Sequence, residues 1–149
     1  MKKWLLIVLA IFTFVQYVEA QDVRFVATAT KTSVSEGERF QVTYTLHNAQ
    51  GTRLSPPNFK DFSVLMGPSV SQSTQIINGA MSQQISYSYI LQANTKGTFT
   101  IGPATITVNG NPMQSNSLTI KVLEPSQAEQ EQREQAKQQE RTLSQQAQD

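Results

Sequence analysis

Residues 70–91 read VSQSTQIINGAMSQQISYSYIL, two runs of strand-forming residues joined by Asn78-Gly79. Asn-Gly suits a two-residue type I′ turn, because both positions need positive φ. With those two residues at the turn, the register follows: Ile76 faces Met81, Gln72 faces Ile85 and Val70 faces Tyr87. Gln75 then pairs with Ser82, Ser73 with Gln84, and Ser71 with Ser86. One face collects Val70, Ile76, Met81, Ile85, Tyr87, Tyr89 and Leu91, while the other is almost wholly Ser and Gln. A one-residue slip would destroy that sorting. The expectation is an antiparallel hairpin, half-buried through its apolar face.

The flanking sequence continues the two-residue period. Val23, Phe25, Ala27 and Ala29 alternate with Arg24, Val26, Thr28 and Thr30. Phe40, Val42, Tyr44 and Leu46 alternate with Gln41, Thr43, Thr45 and His47. Both segments read as strands with one apolar face. Residues 31–38 read as a turn region and 48–58 as a loop, since Pro56-Pro57 cannot sit inside a central strand. Residues 59–66 form a short strand with Phe62 and Val64 inward, ended or bulged by Gly67-Pro68. Further strands cover Phe99 with Ile101, Ala104–Val108 with Ile106 and Val108 inward, and Ser117–Leu123 with Leu118, Ile120 and Val122 aligned. Asn109-Gly110-Asn111-Pro112 marks a second hairpin turn. Short strands with turn signals about every 8–12 residues predict an all-β, immunoglobulin-like antiparallel β-sandwich. It has no disulfide, because the chain contains no Cys, and Tyr44, Tyr87 and Tyr89 are its candidate core aromatics.

The ends read differently. Lys2 and Lys3 precede the apolar run Trp4–Val15, and Val18-Glu19-Ala20 follows. This pattern predicts a signal peptide over residues 1–20, cleaved after Ala20. The run is short for a membrane span, which needs about 20 residues, and no Cys follows it to carry a lipid. The sandwich domain is assigned to 21–123. Residues 124–149 form a Gln/Glu-rich tail, helical or disordered, with Leu143 its only large apolar residue and no a/d stripe for a coiled coil.

Charge and chemistry exclude several functions. Residues 21–149 carry ten Lys+Arg and ten Asp+Glu, so neither nucleic acid nor an anionic membrane surface is favoured as a partner. Without Cys there is no thiol catalysis. His47 is the only His; as a general base it would need Asp61 or Glu36 to orient it, but it lies on the polar side of its strand. Glu36 and Glu38 resemble at most part of a calcium site, and the domain has only Asp22 and Asp61 besides, too few oxygens for the ion. No catalytic, cofactor-binding or metal-binding residue is assigned, no cofactor is expected, and the protein is read as not an enzyme.

One feature stands out. The 34 residues from Phe62 to Thr95 contain no charge, whereas exposed sheet edges are commonly protected by charge. The neutral hairpin face, Ser71, Ser73, Gln75, Ser82, Gln84 and Ser86, is the candidate partner-facing surface.

In order and spacing, several motifs resemble the N-terminal region of BatD proteins, the oxygen-tolerance (aerotolerance) family of bacterial envelopes. They are Phe62-x-Val-Leu-x-Gly-Pro68, Ile77-Asn78-Gly79, Tyr87-x-Tyr89-x-Leu91, Gly97-Thr-Phe-Thr-Ile-Gly-Pro-Ala104 and Val108-Asn-Gly110, with the upstream strand around Gly37-Glu38-Arg39-Phe40. The resemblance implies an exported envelope protein, encoded with von Willebrand A-domain membrane proteins and a MoxR-type AAA ATPase, that assembles with those proteins in oxygen or stress tolerance. It also implies that full-length relatives carry further domains and a C-terminal membrane anchor; the mature chain as given holds no span. The alternative is a free-standing secreted adhesin or carbohydrate-binding β-sandwich, which would need exposed aromatics at a loop or sheet face.

Overall fold

A computed structural model describes residues 22–147; the expected signal peptide over residues 1–20 lies outside the described residues. Among the described residues ten strands are followed by one helix: β1 (Arg24–Ala29), β2 (Ser33–Ser35), β3 (Arg39–His47), β4 (Gly51–Ser55), β5 (Phe62–Ile77), β6 (Ala80–Ala93), β7 (Gly97–Ile101), β8 (Thr105–Val108), β9 (Asn111–Gln114), β10 (Leu118–Leu123) and α1 (Gln127–Gln146). They form a four-stranded sheet ordered β1-β3-β6-β5 and two three-stranded sheets, β2-β10-β7 and β4-β8-β9. The ladders are antiparallel apart from β2 with β10, which is parallel.

Alternation puts one apolar row from each sheet into a single core. Phe25, Ala27, Phe40, Val42, Tyr44, Leu46, Tyr89 and Leu91 come from the four-stranded sheet. Val34, Ile101, Ile120 and Val122 come from the second sheet, and Ile106 and Val108 from the third. The large sheet therefore forms one layer, and the two small sheets together form the other. Aromatic rings fill the core: Tyr44 meets Tyr89 edge-on at 6.2 Å within the large sheet, and Phe62 meets Phe99 edge-on at 5.9 Å between the large sheet and the second. Asn116 ties the layers together by imitating a strand, its Oδ1 accepting from the Ala27 N–H at 2.8 Å and its Nδ2 donating to the Ala27 carbonyl at 3.0 Å.

Three local expectations change. The turn region 31–38 contains β2, whose three residues pair with the end of β10. The loop 48–58 contains β4, which stops before Pro56-Pro57. A Cβ on Gly51, the first residue of β4, would sit 2.5 Å from Ile106 Cδ1 and 2.8 Å from Leu46 Cδ2, so its bare backbone lets β4 close over the core. The second hairpin turns on Asn109-Gly110 alone, both at positive φ, leaving Asn111 and Pro112 in β9.

The tail takes its helical form. Ser126 caps α1 by accepting from the Glu129 N–H at 3.2 Å, and Glu129 Oε2 accepts from the Ser126 N–H in return. The same Glu129 oxygen accepts from the Ser35 hydroxyl at 3.2 Å, which docks the first turn of the helix on β2. Leu143 is exposed.

Candidate functional site

The 70–91 hairpin has the register its sequence dictates. Asn78 and Gly79 have φ of 52° and 79°, and Ile76 pairs with Met81, Gln72 with Ile85, and Val70 with Tyr87. Ser71–Ser86, Ser73–Gln84 and Gln75–Ser82 pair as expected, so the six candidate partner-facing residues share one face of the ribbon. Two register shifts, between Val64 and Met66 and between Met66 and Ser69, absorb Leu65 and Gly67-Pro68 as bulges within one continuous strand.

The burial of this ribbon departs from expectation. Tyr89 and Leu91 are buried and Tyr87 is half-buried, but Val70 is 57% exposed, Ile76 72% and Met81 53%. Val64, expected inward, is exposed, together with Leu65, Met66 and Ile77. The causes are geometric. β3 pairs with β6 only as far as His47 opposite Gln84, so the tip projects beyond its neighbour. β5 is the edge strand of its four-stranded sheet, and among the described residues none of its side chains beyond Phe62 joins the core. The apolar face is right in its periodicity and uncovered along its outer half.

The opposite face is a polar mesh. Thr45 and Ser86 hydroxyls lie 3.1 Å apart, and those of Thr43 and Ser88 lie 3.0 Å apart. Gln41 Nε2 donates to Thr43 Oγ1 at 3.1 Å and to Ser88 Oγ at 3.2 Å. Toward the tip, Ser73, Gln75, Ser82 and Gln84 border a shallow depression whose far wall is Arg24, His47 and Asn48. The candidate face thus continues the outer surface of the sheet, with its charges at the rim.

That geometry gives His47 no catalytic setting. It stands opposite Arg24 on one side and Gln84 on the other. Burial, and then the Arg24 guanidinium, push its pKa down and favour the neutral ring. Asp61 precedes Phe62, which pairs with Ala93, and Glu36 accepts from the Lys96 N–H at 2.8 Å. Both lie at the Arg39 end of β3, about 26 Å from His47 at strand rise. Glu38 is committed to the Lys31 ammonium and to the Ser35 N–H. Among the described residues no three His, Cys, Asp or Glu side chains gather to hold a metal. With Tyr44 and Tyr89 buried, those aromatics offer no platform for a sugar ring.

The BatD DUF11-like domain matches residues 27–122. The chain belongs to the BatD family. The match to this envelope-associated family runs from within β1 to within β10, and neither the BatD family nor its β-sandwich is a typical enzyme class. No curated protein matches the chain. Of this BatD domain's exposed surface, sequence reasoning found the polar face and missed the apolar rim of Val64, Met66, Val70, Ile76 and Met81. Strand length was the available signal: β5 has 16 residues, whereas β3 has nine.

Proposed function

We propose that this BatD-family chain is an exported, non-enzymatic interaction module of the bacterial envelope. A signal peptide over residues 1–20 delivers it, the domain at 21–123 does the binding, and the tail at 124–149 spaces it from its surroundings. Its partners are von Willebrand A-domain membrane proteins encoded with it, and their assembly serves oxygen or stress tolerance.

The observation that supports this reading best is the projecting β5–β6 ribbon. It is a charge-free surface that offers hydroxyl and amide groups on one face and exposed Val, Ile and Met on the other. Interfaces are depleted of charge at their centres. The ribbon combines that composition with reach beyond the sandwich. The neutral face of Ser71, Ser73, Gln75, Ser82, Gln84 and Ser86 is the surface that meets the partner.

The test is affinity recovery of the full chain from membranes in mild detergent. Von Willebrand A-domain proteins are expected to co-purify, and Ser82→Arg with Gln84→Arg to abolish their recovery while the melting transition is kept. Recovery of the folded chain with no such protein refutes the proposal.

A further inference from the structure

The outer edge of β5 has no strand beside it among the described residues, since β6 is its only sheet neighbour. Which of its backbone groups face outward follows from β6. The Gln83 carbonyl accepts from the Asn48 N–H at 2.8 Å, so Gln83 turns its backbone away from β5. Its partner Thr74 therefore occupies a non-hydrogen-bonded pair and turns its own N–H and C=O outward. The register is unbroken from Ser69 to Ile77, so Val70, Gln72 and Ile76 do the same by alternation.

The sequence of this edge has a near-mirror about Ser73: Val70-Ser-Gln-Ser73-Thr-Gln-Ile76. Lay a second such strand antiparallel to it, with Ser73 opposite Ser73. Val70 then faces Ile76 and Gln72 faces Thr74. Every outward-facing residue meets another outward-facing residue, so the hydrogen bonds of a ladder can form throughout. A one-residue slip would set outward groups against inward ones. A two-residue slip keeps the bonding but sets Val70 against Thr74, or Ile76 against Gln72, and loses the apolar match. A two-fold axis also places like groups near one another, which a charged edge would resist; residues 62–95 carry no charge.

We propose that two copies of this chain pair antiparallel along β5, about a two-fold axis at Ser73. The pairing doubles the four-stranded sheet. On its apolar face it makes one strip from Tyr87 and Val70 of one copy to Ile76 and Met81 of the other. The exposed Val70 of each copy thereby gains Ile76 of the other as a cross-strand neighbour, once on either side of the axis. The pairing uses the edge of the ribbon, needs no envelope partner and leaves the polar face free.

The chain's lack of Cys makes the test direct. Ser73→Cys puts two thiols at a non-hydrogen-bonded antiparallel site, where Cα atoms are about 4.5 Å apart, within disulfide range. Ser71→Cys is the control on the same face; it sits opposite Gln75, so its two copies lie about 13 Å apart along the strand. Under mild oxidant the full chain carrying Ser73→Cys is expected to give disulfide dimer at about ten times the yield of Ser71→Cys, the contrast between matched and mismatched geometry. Thr74→Arg sets two arginines diagonally across the axis, their Cα atoms about 7–8 Å apart, with like charges on one face. It is expected to weaken the dimer seen by sedimentation equilibrium by at least about tenfold, with unchanged circular dichroism. Three results would each overturn the pairing: a monomeric full chain at concentrations where such edges associate, equal cross-linking at 71 and 73, or a dimer indifferent to Thr74→Arg.

Discussion

Removing one oxygen atom from the centre of the core should make this protein more stable. Tyr44 is fully buried, and among the described residues its hydroxyl has no hydrogen-bond partner. An unpaired buried hydroxyl costs about 1–3 kcal/mol. Tyr44→Phe deletes that group and keeps the ring, with its contacts to Phe25 at 6.3 Å and Tyr89 at 6.2 Å. The small void left by the oxygen offsets part of the gain. A net stabilisation of about 1 kcal/mol is expected, which in a domain of this size raises Tm by about 4–8 °C. Thermal and urea unfolding followed by circular dichroism read it, with the urea slope unchanged because the exposed surface hardly differs. Spectrophotometric titration gives an independent check: burial pushes the Tyr44 pKa far up, so the phenol should resist ionisation until the fold is lost. Destabilisation by about 1 kcal/mol or more would mean that the hydroxyl is satisfied, and the account of this core would be wrong.

Three further outcomes follow from the burial and charge pattern. Leu91→Ala, at a fully buried position, should cost about 2–5 kcal/mol, whereas Ile76→Ala on the projecting tip should cost less than about 0.5 kcal/mol in chemical denaturation at concentrations where the chain is a monomer; equal losses there would mean that the chain covers its own tip. Gly51→Ala should cost about 1–3 kcal/mol through its overlap with Ile106 and Leu46, and a neutral result would show that β4 has room to move. The Lys31 ammonium, and then the Ser35 N–H, hold the Glu38 carboxyl below the usual carboxylate range. A depressed folded pKa adds stability above the ordinary glutamate value, about 4.3, and loses it as pH falls through the folded value. The Tm gap between wild type and Glu38→Gln should therefore be widest near neutral pH and close in acid, and a gap that widens in acid would reverse the assignment.

The parts of the fold legible in the sequence are those governed by local rules. The Asn78-Gly79 turn sets positive φ at two adjacent residues, and that choice fixes every pair from Ile77–Ala80 to Ser69–Ser88. The Phe40–Leu46 alternation maps directly onto burial, because β3 lies between two strands and under the opposite layer. β2 and β4 escaped because their pairing is non-local: Ser33–Ser35 is held by β10, nearly 90 residues later in the chain, and no pattern in three residues announces that. The candidate surface was half legible. Period-two alternation says which residues share a face, as it did for the Ser and Gln of the ribbon. It cannot say whether another layer covers that face, and among the described residues none covers Val70, Ile76 and Met81. The answer depends on how far the ribbon runs beyond its neighbours, since β3 ends opposite Gln84.

The Glu129 carboxylate, described as both cap and dock, also sets a direction. It completes the first turn of α1 and accepts from Ser35 on the sandwich. The helix beyond it has 20 residues, a lever about 30 Å long. With its foot held on β2, a tilt of about one degree moves the far end by about half an ångström at that length. The direction in which α1 leaves the domain is therefore set at its first turn, where Glu129 meets Ser35.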